Sequence, residues 1–422
     1  MYSVGLATSL ESRYLESNLI IKSKKSSHTA ESFDESGPVR GVRQEYGTIW
    51  MMNHRIWVCV DILNSSVLYL STAPPVRYFY SVNQNVGGDN MSAIESKLNE
   101  HIVKLESDGR FSGAVLVASK GELLLRQGYG MASYEHGVPN TPETVFRIGS
   151  MTKQFTAVCI LQLVDKGIIQ LHDSIDKFIP EFPNGDIITI HHLLSHSSGI
   201  WNLTSAKDVR ESSRANHSVD DLISKFIDAP LAFAPGEGFN YSNSGYILLG
   251  KIIEVVTGTT YEEYLVDNVF TKIGMNHSGY DHNEQILKNR AMGYVQLQDG
   301  LLNSPYLDMS WPYAAGGLYS TVDDLLLWDR ALYEEALLTK ESISAMFTPS
   351  AKVNDAGLGY AYGWFVNSTN PRVVFHGGSI SGFRSIIIRH IDDYLTCIVL
   401  SNIRSELAVQ LGWQLTNLVF EA

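Results

Sequence analysis

RIGSMTKQFT, residues 147–156, places a hydroxyl, Ser150, three residues ahead of an amine, Lys153, where an apolar run begins. The run continues as MTKQFTAVCILQLVDKG and stops at Gly167, which reads as a buried helix over 151–166. Ser150 then falls at or near a helix N-terminus, where unbonded backbone N–H groups and the positive end of the dipole stabilise an alkoxide or an oxyanion. Lys153 lies about one turn further on, on the same face. Burial strips an ammonium of solvation and lowers its pKa, so such a lysine can exchange protons with the serine. The plainer reading of Ser150 is an N-cap, which accounts for the serine but not for a lysine inside a buried helix. A second Ser-x-x-Lys match, Ser174–Lys177, follows the end of that helix, is soon cut by Pro180, and reads as loop.

Two further constellations lie downstream. In PGEGFNYSNSGYILLGKIIEVVTG, Tyr241 and Asn243 sit in a polar loop just ahead of an apolar helix. A phenol there can relay a proton to a leaving group. The Asn243 amide can grip a substrate carbonyl and also bond Lys153. The alternative is an Asx-type cap of a helix starting near Ser244. In VVFHGGSISGF, His376 precedes Gly377 and Gly378 as a β-rich run ends. Glycines let a ligand lie close to a strand edge. The N–H of Ser379 can supply half of an oxyanion hole, with the N–H of Ser150 as the other half. The alternative is a bulge or turn with a surface histidine.

Around these motifs the chain is uneven. Residues 1–90 are poorly patterned. The first forty are Ser-rich and charged, which predicts disorder; 48–82 carry scattered apolar runs that can form strands; NQNVGGDN reads as a linker. Met91 opens the regular part and would serve as an alternative start. MSAIESKLNEHIVKLESDG places Ile94, Leu98, Ile102 and Leu105 at helical spacing. SGAVLVASKGELLLRQGYGM reads as a hairpin turning at Lys120-Gly121, and FRSIIIRHIDDYLTCIVLSN as a second turning at Asp392-Asp393. A last helix aligns Leu407, Leu411, Leu415 and Leu418. Helical patterns also cover 219–228, 244–257, 260–269 and 321–335. These patterns predict an α/β (α+β) architecture. One antiparallel sheet, from about 91–149 and 355–422, is flanked by the first and last helices, with a helical lobe over about 150–354.

Ser-x-x-Lys, Tyr-x-Asn and His-Gly-Gly, in that order, resemble the three active-site elements of the serine β-lactamase and penicillin-binding protein superfamily. The class C branch is the nearest likeness, with its D-alanyl-D-alanine carboxypeptidases and β-lactamase-like esterases. HHLLSHSSGI, AAGGLYSTVDDLLLWDRAL and AYGWFV look like segments that recur in that family. The likeness covers roughly 91–422. It implies a β-lactamase/transpeptidase-like fold and a serine hydrolase that acts through an acyl-enzyme on an amide or ester carbonyl. Ser150, Lys153 and Tyr241 would be catalytic, and Asn243, His376, Gly377, Gly378 and Ser379 would bind substrate. It also implies pocket walls set by aromatics such as Trp201, Trp311 and Trp364. Class C β-lactamases carry Lys-Thr-Gly where this chain has His376-Gly377-Gly378. A lysine is a fixed cation for a substrate carboxylate, whereas histidine is one only when protonated. That favours peptidase or esterase chemistry over a true β-lactamase, which stays an alternative beside a non-catalytic binder using the same pocket.

Composition excludes other classes. The 422 residues carry a formal charge of −13, which repels nucleic acid and anionic lipid. Mean hydropathy is −0.04, and no run of about 18 apolar residues predicts a membrane span. The polar start is not a signal peptide. IWVCVDILNSSVLYLSTA loosely resembles an h-region, but contains Asp61 and Asn64 and lies far from Met1, so localisation stays open. Cys59, Cys159 and Cys397 form no metal or disulfide pattern, and Cys159 and Cys397 read as buried, inert thiols. His192 and His196 lack the Glu of a zinc helix, and no nucleophile elbow, P-loop or dinucleotide fingerprint occurs. The expected partner is a small-molecule or peptide substrate bearing an acyl group, with no cofactor or metal. The oligomeric state is open.

Overall fold

The computed structural model describes residues 47–50, 57–61, 66–70 and 92–422, apart from residues 299 and 368. The chain divides into two compact units, Met1–Met91 and Ser92–Ala422. In the first, Gly47–Trp50, Trp57–Asp61 and Ser66–Leu70 make an antiparallel meander, with Trp50 opposite Trp57 and Asp61 opposite Ser66. The disorder expected over the first forty residues and the linker NQNVGGDN lie outside the described residues.

The second unit is built on an eight-stranded sheet. Its strands are β1 (Gly113–Ser119), β2 (Glu122–Tyr129), β3 (Ala351–Lys352), β4 (Leu358–Tyr360), β5 (Phe365–Asn367), β6 (Val373–Ile380), β7 (Phe383–His390) and β8 (Leu395–Ser401). The order is β3-β4-β5-β6-β7-β8-β1-β2, antiparallel throughout. Lys120 and Gly121 both have positive φ (49° and 86°), the mirror-image hairpin turn that suits strand twist. β1 pairs with β8, Val117 opposite Cys397, so the two ends of this unit close one sheet.

Helices α1 (Ala93–Ser107) and α4 (Leu407–Phe420) cover one face of it, and α2 (Thr152–Asp165) and α3 (Asn243–Thr257) belong to the lobe on the other. Side chains alternate across the sheet. Val115, Val117, Ile386, Ile388 and Val399 pack under Leu98 and Ile102 of α1 and Leu411 and Leu415 of α4. Leu116, Ala118, Ile387, Ile398 and Leu400 face the helical lobe, in one core with Phe155 and Trp328. Both faces are covered, which is why these strands read as continuous apolar runs. α4 lies so close that a Cβ on Gly412 would stand 2.9 Å from Ile386 Cγ2.

The lobe places α2 at its centre. Every residue from Thr152 to Leu163 is buried, so α2 is enclosed on all sides rather than amphipathic. Cys159 and Cys397 are fully buried free thiols, and burial pushes both thiol pKa values up. Strands β4 and β5 fall inside the span expected for the sheet and β3 just ahead of it; at two or three residues each they are too short to show a period of their own. Among the described residues no helix is long and apolar enough to cross a membrane.

Candidate active site

Gly149–Met151 forms a 3₁₀ turn that leads directly into α2. Gly149 has φ 53°, a conformation that favours glycine. Neither the turn nor α2 has a side-chain cap at its start, so the Ser150 hydroxyl is not a capping group. It accepts a hydrogen bond from Lys153 Nζ at 3.2 Å. The same Nζ donates to Asn243 Oδ1 at 2.8 Å and to the Ala315 carbonyl at 2.7 Å. Lys153 is fully buried and all three partners are uncharged. Desolvation therefore pushes its pKa well below the usual lysine range. Ser174 and Lys177 differ on every point. Ser174 Oγ donates to Asp176 Oδ1 at 2.5 Å, and the Lys177 ammonium is exposed and paired with Asp173.

Asn243 is the first residue of α3, and the capping position, Ser242, makes no side-chain cap. The Asn243 Nδ2 group donates to Asn202 Oδ1 at 3.2 Å and to Thr204 Oγ1 at 3.3 Å. Those bonds orient the amide with its oxygen toward Lys153. The Tyr241 ring lies under the amine, its centroid 4.8 Å from Lys153 Nζ. Burial pushes the Tyr241 phenol pKa up, against the opposing effects of a Ser150 hydrogen bond and the charge of Arg384. His196 braces this loop. Its ring centroid is 4.3 Å from that of Tyr241, and its Nδ1 accepts from the Ser242 N–H at 3.2 Å. His196 was weighed from sequence only as a zinc ligand and Ala315 not at all, although they sit in the segments HHLLSHSSGI and AAGGLYSTVDDLLLWDRAL.

The His-Gly-Gly element lies within β6. Gly378 is where β6 meets the turn that carries Ser150: a Cβ there would fall 1.8 Å from the Ile148 carbonyl oxygen. On the other side a Cβ on Gly149 would stand 3.0 Å from the Ser379 amide nitrogen, so that amide lies beside the Ser150 turn. His376 departs from the expectation of a titrating substrate contact. It is 1% exposed, its Nδ1–H donates to the Gly377 carbonyl at 2.7 Å, and its Nε2 accepts from the Tyr360 hydroxyl at 3.1 Å. Burial first, and then the charge of Lys153, push its pKa down to about 3, so it stays neutral. It is neither a bulge histidine nor a surface one, and it packs among Tyr241, Tyr360 and Phe365.

A cavity of about 320 Å³ opens over Ser150, with Asn243 and Ser379 on its walls. Trp311 lines it, whereas Trp364 is a fully buried core residue and Trp201 packs against the lobe core. Arg404, which follows β8, also lines it, and its Nε donates to Ser379 Oγ at 3.2 Å. No local pattern marks Arg404 in the sequence; its place depends on the return of the last strand, β8, between β7 and β1.

The Beta-lactamase family model matches residues 94–418. A penicillin-binding protein of Bacillus subtilis strain 168 is 31% identical over 310 residues, 69% of this chain and 68% of that protein. The crystal structure of a penicillin binding protein from Bacillus halodurans superposes with a TM-score of 0.69 at 29% identity, covering 75% of this chain and 99% of the other. The octameric penicillin-binding protein homologue from Pyrococcus abyssi gives 0.65 at 32% identity, over 73% of each chain. With the match spanning the whole sheet and lobe, the chain belongs to the Beta-lactamase family of serine hydrolases.

Proposed function

We propose that this serine hydrolase cleaves an ester or amide through an acyl-enzyme on Ser150. The observation that carries the reading is the buried amine of Lys153, 3.2 Å from Ser150 Oγ and held by two neutral acceptors. Burial drives the lysine and tyrosine pKa values apart, one down and one up. That separation supports a neutral amine as base, its two N–H groups on Asn243 and Ala315 and its lone pair toward the Ser150 hydroxyl, with a protonated phenol as acid.

Ser150 Oγ attacks the carbonyl carbon while its proton passes to Lys153 Nζ. The carbonyl oxygen becomes an oxyanion, held by the N–H groups of Ser150 and Ser379. As the intermediate collapses, the bond to the leaving group breaks and Tyr241 donates its proton to it. Lys153 returns a proton to the phenol. Water then attacks the acyl-enzyme, giving up its proton to the same pair, and the acid product leaves as Ser150 regains its proton. Arg404 supplies the fixed cation that His376 does not, and receives a carboxylate on the leaving group. D-amino-acid peptides of the cell-wall type and small esters fit that arrangement.

The test is covalent labelling. A fluorescent penicillin or a phosphonate ester adds its mass to the wild type and to Ser174→Ala, and fails to label Ser150→Ala. Labelling that survives in Ser150→Ala, read by intact mass, removes the nucleophile from this scheme. A stable penicillin adduct marks a penicillin-binding enzyme; ester turnover without one marks an esterase.

A further inference from the structure

The cavity over Ser150 has an uneven charge. Three arginines line it, Arg210, Arg214 and Arg404, and no Asp or Glu does. The chain as a whole has 45 acidic residues against 32 Lys and Arg. Most other arginines of the fold are paired, Arg147 and Arg290 with Asp281, Arg126 with Asp323, Arg384 with Glu406, Arg389 with Asp329, while Arg110 is not, among the described residues. Among the described residues, no carboxylate is in ion-pair range of Arg210, Arg214 or Arg404. Asp208, beside Arg210 in sequence, accepts a hydrogen bond from the Ser212 hydroxyl instead. In a chain with surplus carboxylates, three guanidinium groups without a carboxylate partner around one cavity favour an anion that arrives with the substrate.

The three arginines come from two parts of the fold. Arg404 bonds Ser379 on the sheet side. Arg210 and Arg214 come from the lobe, on and just after the short helix Val209–Ser212. That segment is anchored: the Ser213 carbonyl accepts from the Asp308 N–H at 2.9 Å, and Leu203 N–H donates to Ser244 Oγ at 2.9 Å. With the leaving group directed to Arg404, the lobe wall faces the acyl part. We propose that Arg210 and Arg214 form an acyl-side anion subsite, and that the preferred substrates carry a carboxylate on the acyl group as well as on the leaving group. This rests on the acyl-enzyme reading above. Each cation is exposed, so its contribution is electrostatic and open to screening by salt.

Four esters test it: hexanoyl or adipoyl (monoester) acyl groups, each joined to phenol or to 3-hydroxybenzoate. Hexanoyl and adipoyl have the same carbon count and differ at the terminal group, methyl against carboxylate. The readout is the adipoyl-to-hexanoyl ratio of kcat/KM, corrected for spontaneous hydrolysis. In the wild type at low salt the ratio is expected to be about tenfold, the usual scale for two partly exposed ion pairs, falling toward one in 1 M salt. In Arg210→Ala/Arg214→Ala it falls to about one or below at any salt, and in Arg210→Lys/Arg214→Lys most of it is retained. A wild-type ratio near one overturns the subsite. So does a ratio that survives the double alanine variant, or a double variant that changes the leaving-group preference instead. If none of the four esters is turned over and Ser150 takes no label, the acyl-enzyme reading itself fails. Turnover without acyl preference removes only the subsite.

Discussion

Gly377 and Gly378 are adjacent in sequence, and the structure makes opposite predictions for them. An ideal Cβ on Gly378 meets the Ile148 carbonyl oxygen at 1.8 Å, Ser385 Oγ at 2.4 Å and the Ile148 carbonyl carbon at 2.8 Å. Two of those three atoms are backbone and cannot rotate away. Restoring even a 3.0 Å contact with the oxygen requires a separation of roughly 1.2 Å between β6 and the turn that carries Ser150. The movement also breaks the Ser385 Oγ to Ile148 O hydrogen bond of 2.9 Å. Overpacking of this kind costs about 1–3 kcal/mol, and the lost hydrogen bond about 1 more. Gly378→Ala is therefore expected to lose roughly 2–4 kcal/mol of stability. Activity should suffer more than stability, because Ser150 and the Ser379 amide are pulled apart. A 1 Å misplacement of reacting groups costs on the order of 10²-fold. At Gly377 the nearest atoms are Ser385 O at 3.3 Å and the flexible Arg384 guanidinium at 3.4 Å, so Gly377→Ala should stay within about tenfold of wild type. The assay is kcat/KM on a neutral p-nitrophenyl ester beside a urea melt for each variant. Equal damage at both positions, or a Gly378→Ala enzyme with wild-type turnover, would refute the argument that strand and turn share one steric contact.

Asn243→Asp puts a carboxylate beside the Lys153 amine, which should raise the lysine pKa. With the neutral amine as the proposed base, the acidic limb of the pH–rate profile should move to higher pH; an unmoved limb assigns it to another group. His376, with a pKa near 3, should contribute no inflection in rate between pH 5 and 8 for neutral or anionic substrates. Its depressed pKa means that the unfolded chain takes up a proton that the fold refuses, so stability falls as pH drops from about 6.5 toward 3. His376→Gln should lessen the drop in urea midpoint between pH 7 and pH 4.5; an unchanged drop gives that linkage to other groups. A chain beginning at Met91 should fold and keep ester turnover, as judged by circular dichroism and kcat/KM; insoluble or inactive protein would make 1–90 part of the fold or site.

Local order was legible wherever a short window carries its own period or its own turn chemistry. The helix over 93–107, the turn at Lys120-Gly121, the apolar strands of the second hairpin and the last helix all follow from neighbours a few residues apart. Ser150 and Lys153 were legible for the same reason, since one helical turn puts them together. Two-residue and three-residue edge strands hold too few side chains to show alternation, and only the neighbouring strand makes them strands. Asn243 was offered by its own motif as a partner of Lys153, but nothing local says that the lysine loses all contact with water or that its third partner is the carbonyl of residue 315. The sequence can state that a lysine follows a serine by three; its pKa depends on the dielectric and dipoles that distant segments bring to it. His376 makes the same point in reverse: its position in the motif suggested a cation, and packing against Tyr241, Tyr360 and Phe365 makes it a neutral core residue. Arg210, Arg214 and Arg404 look like ordinary surface charge in the sequence. The patterns already placed one sheet at both ends of the regular part with a lobe between, but the role proposed for these arginines depends on their sharing one cavity, which only the tertiary structure decides because they lie far apart in the sequence.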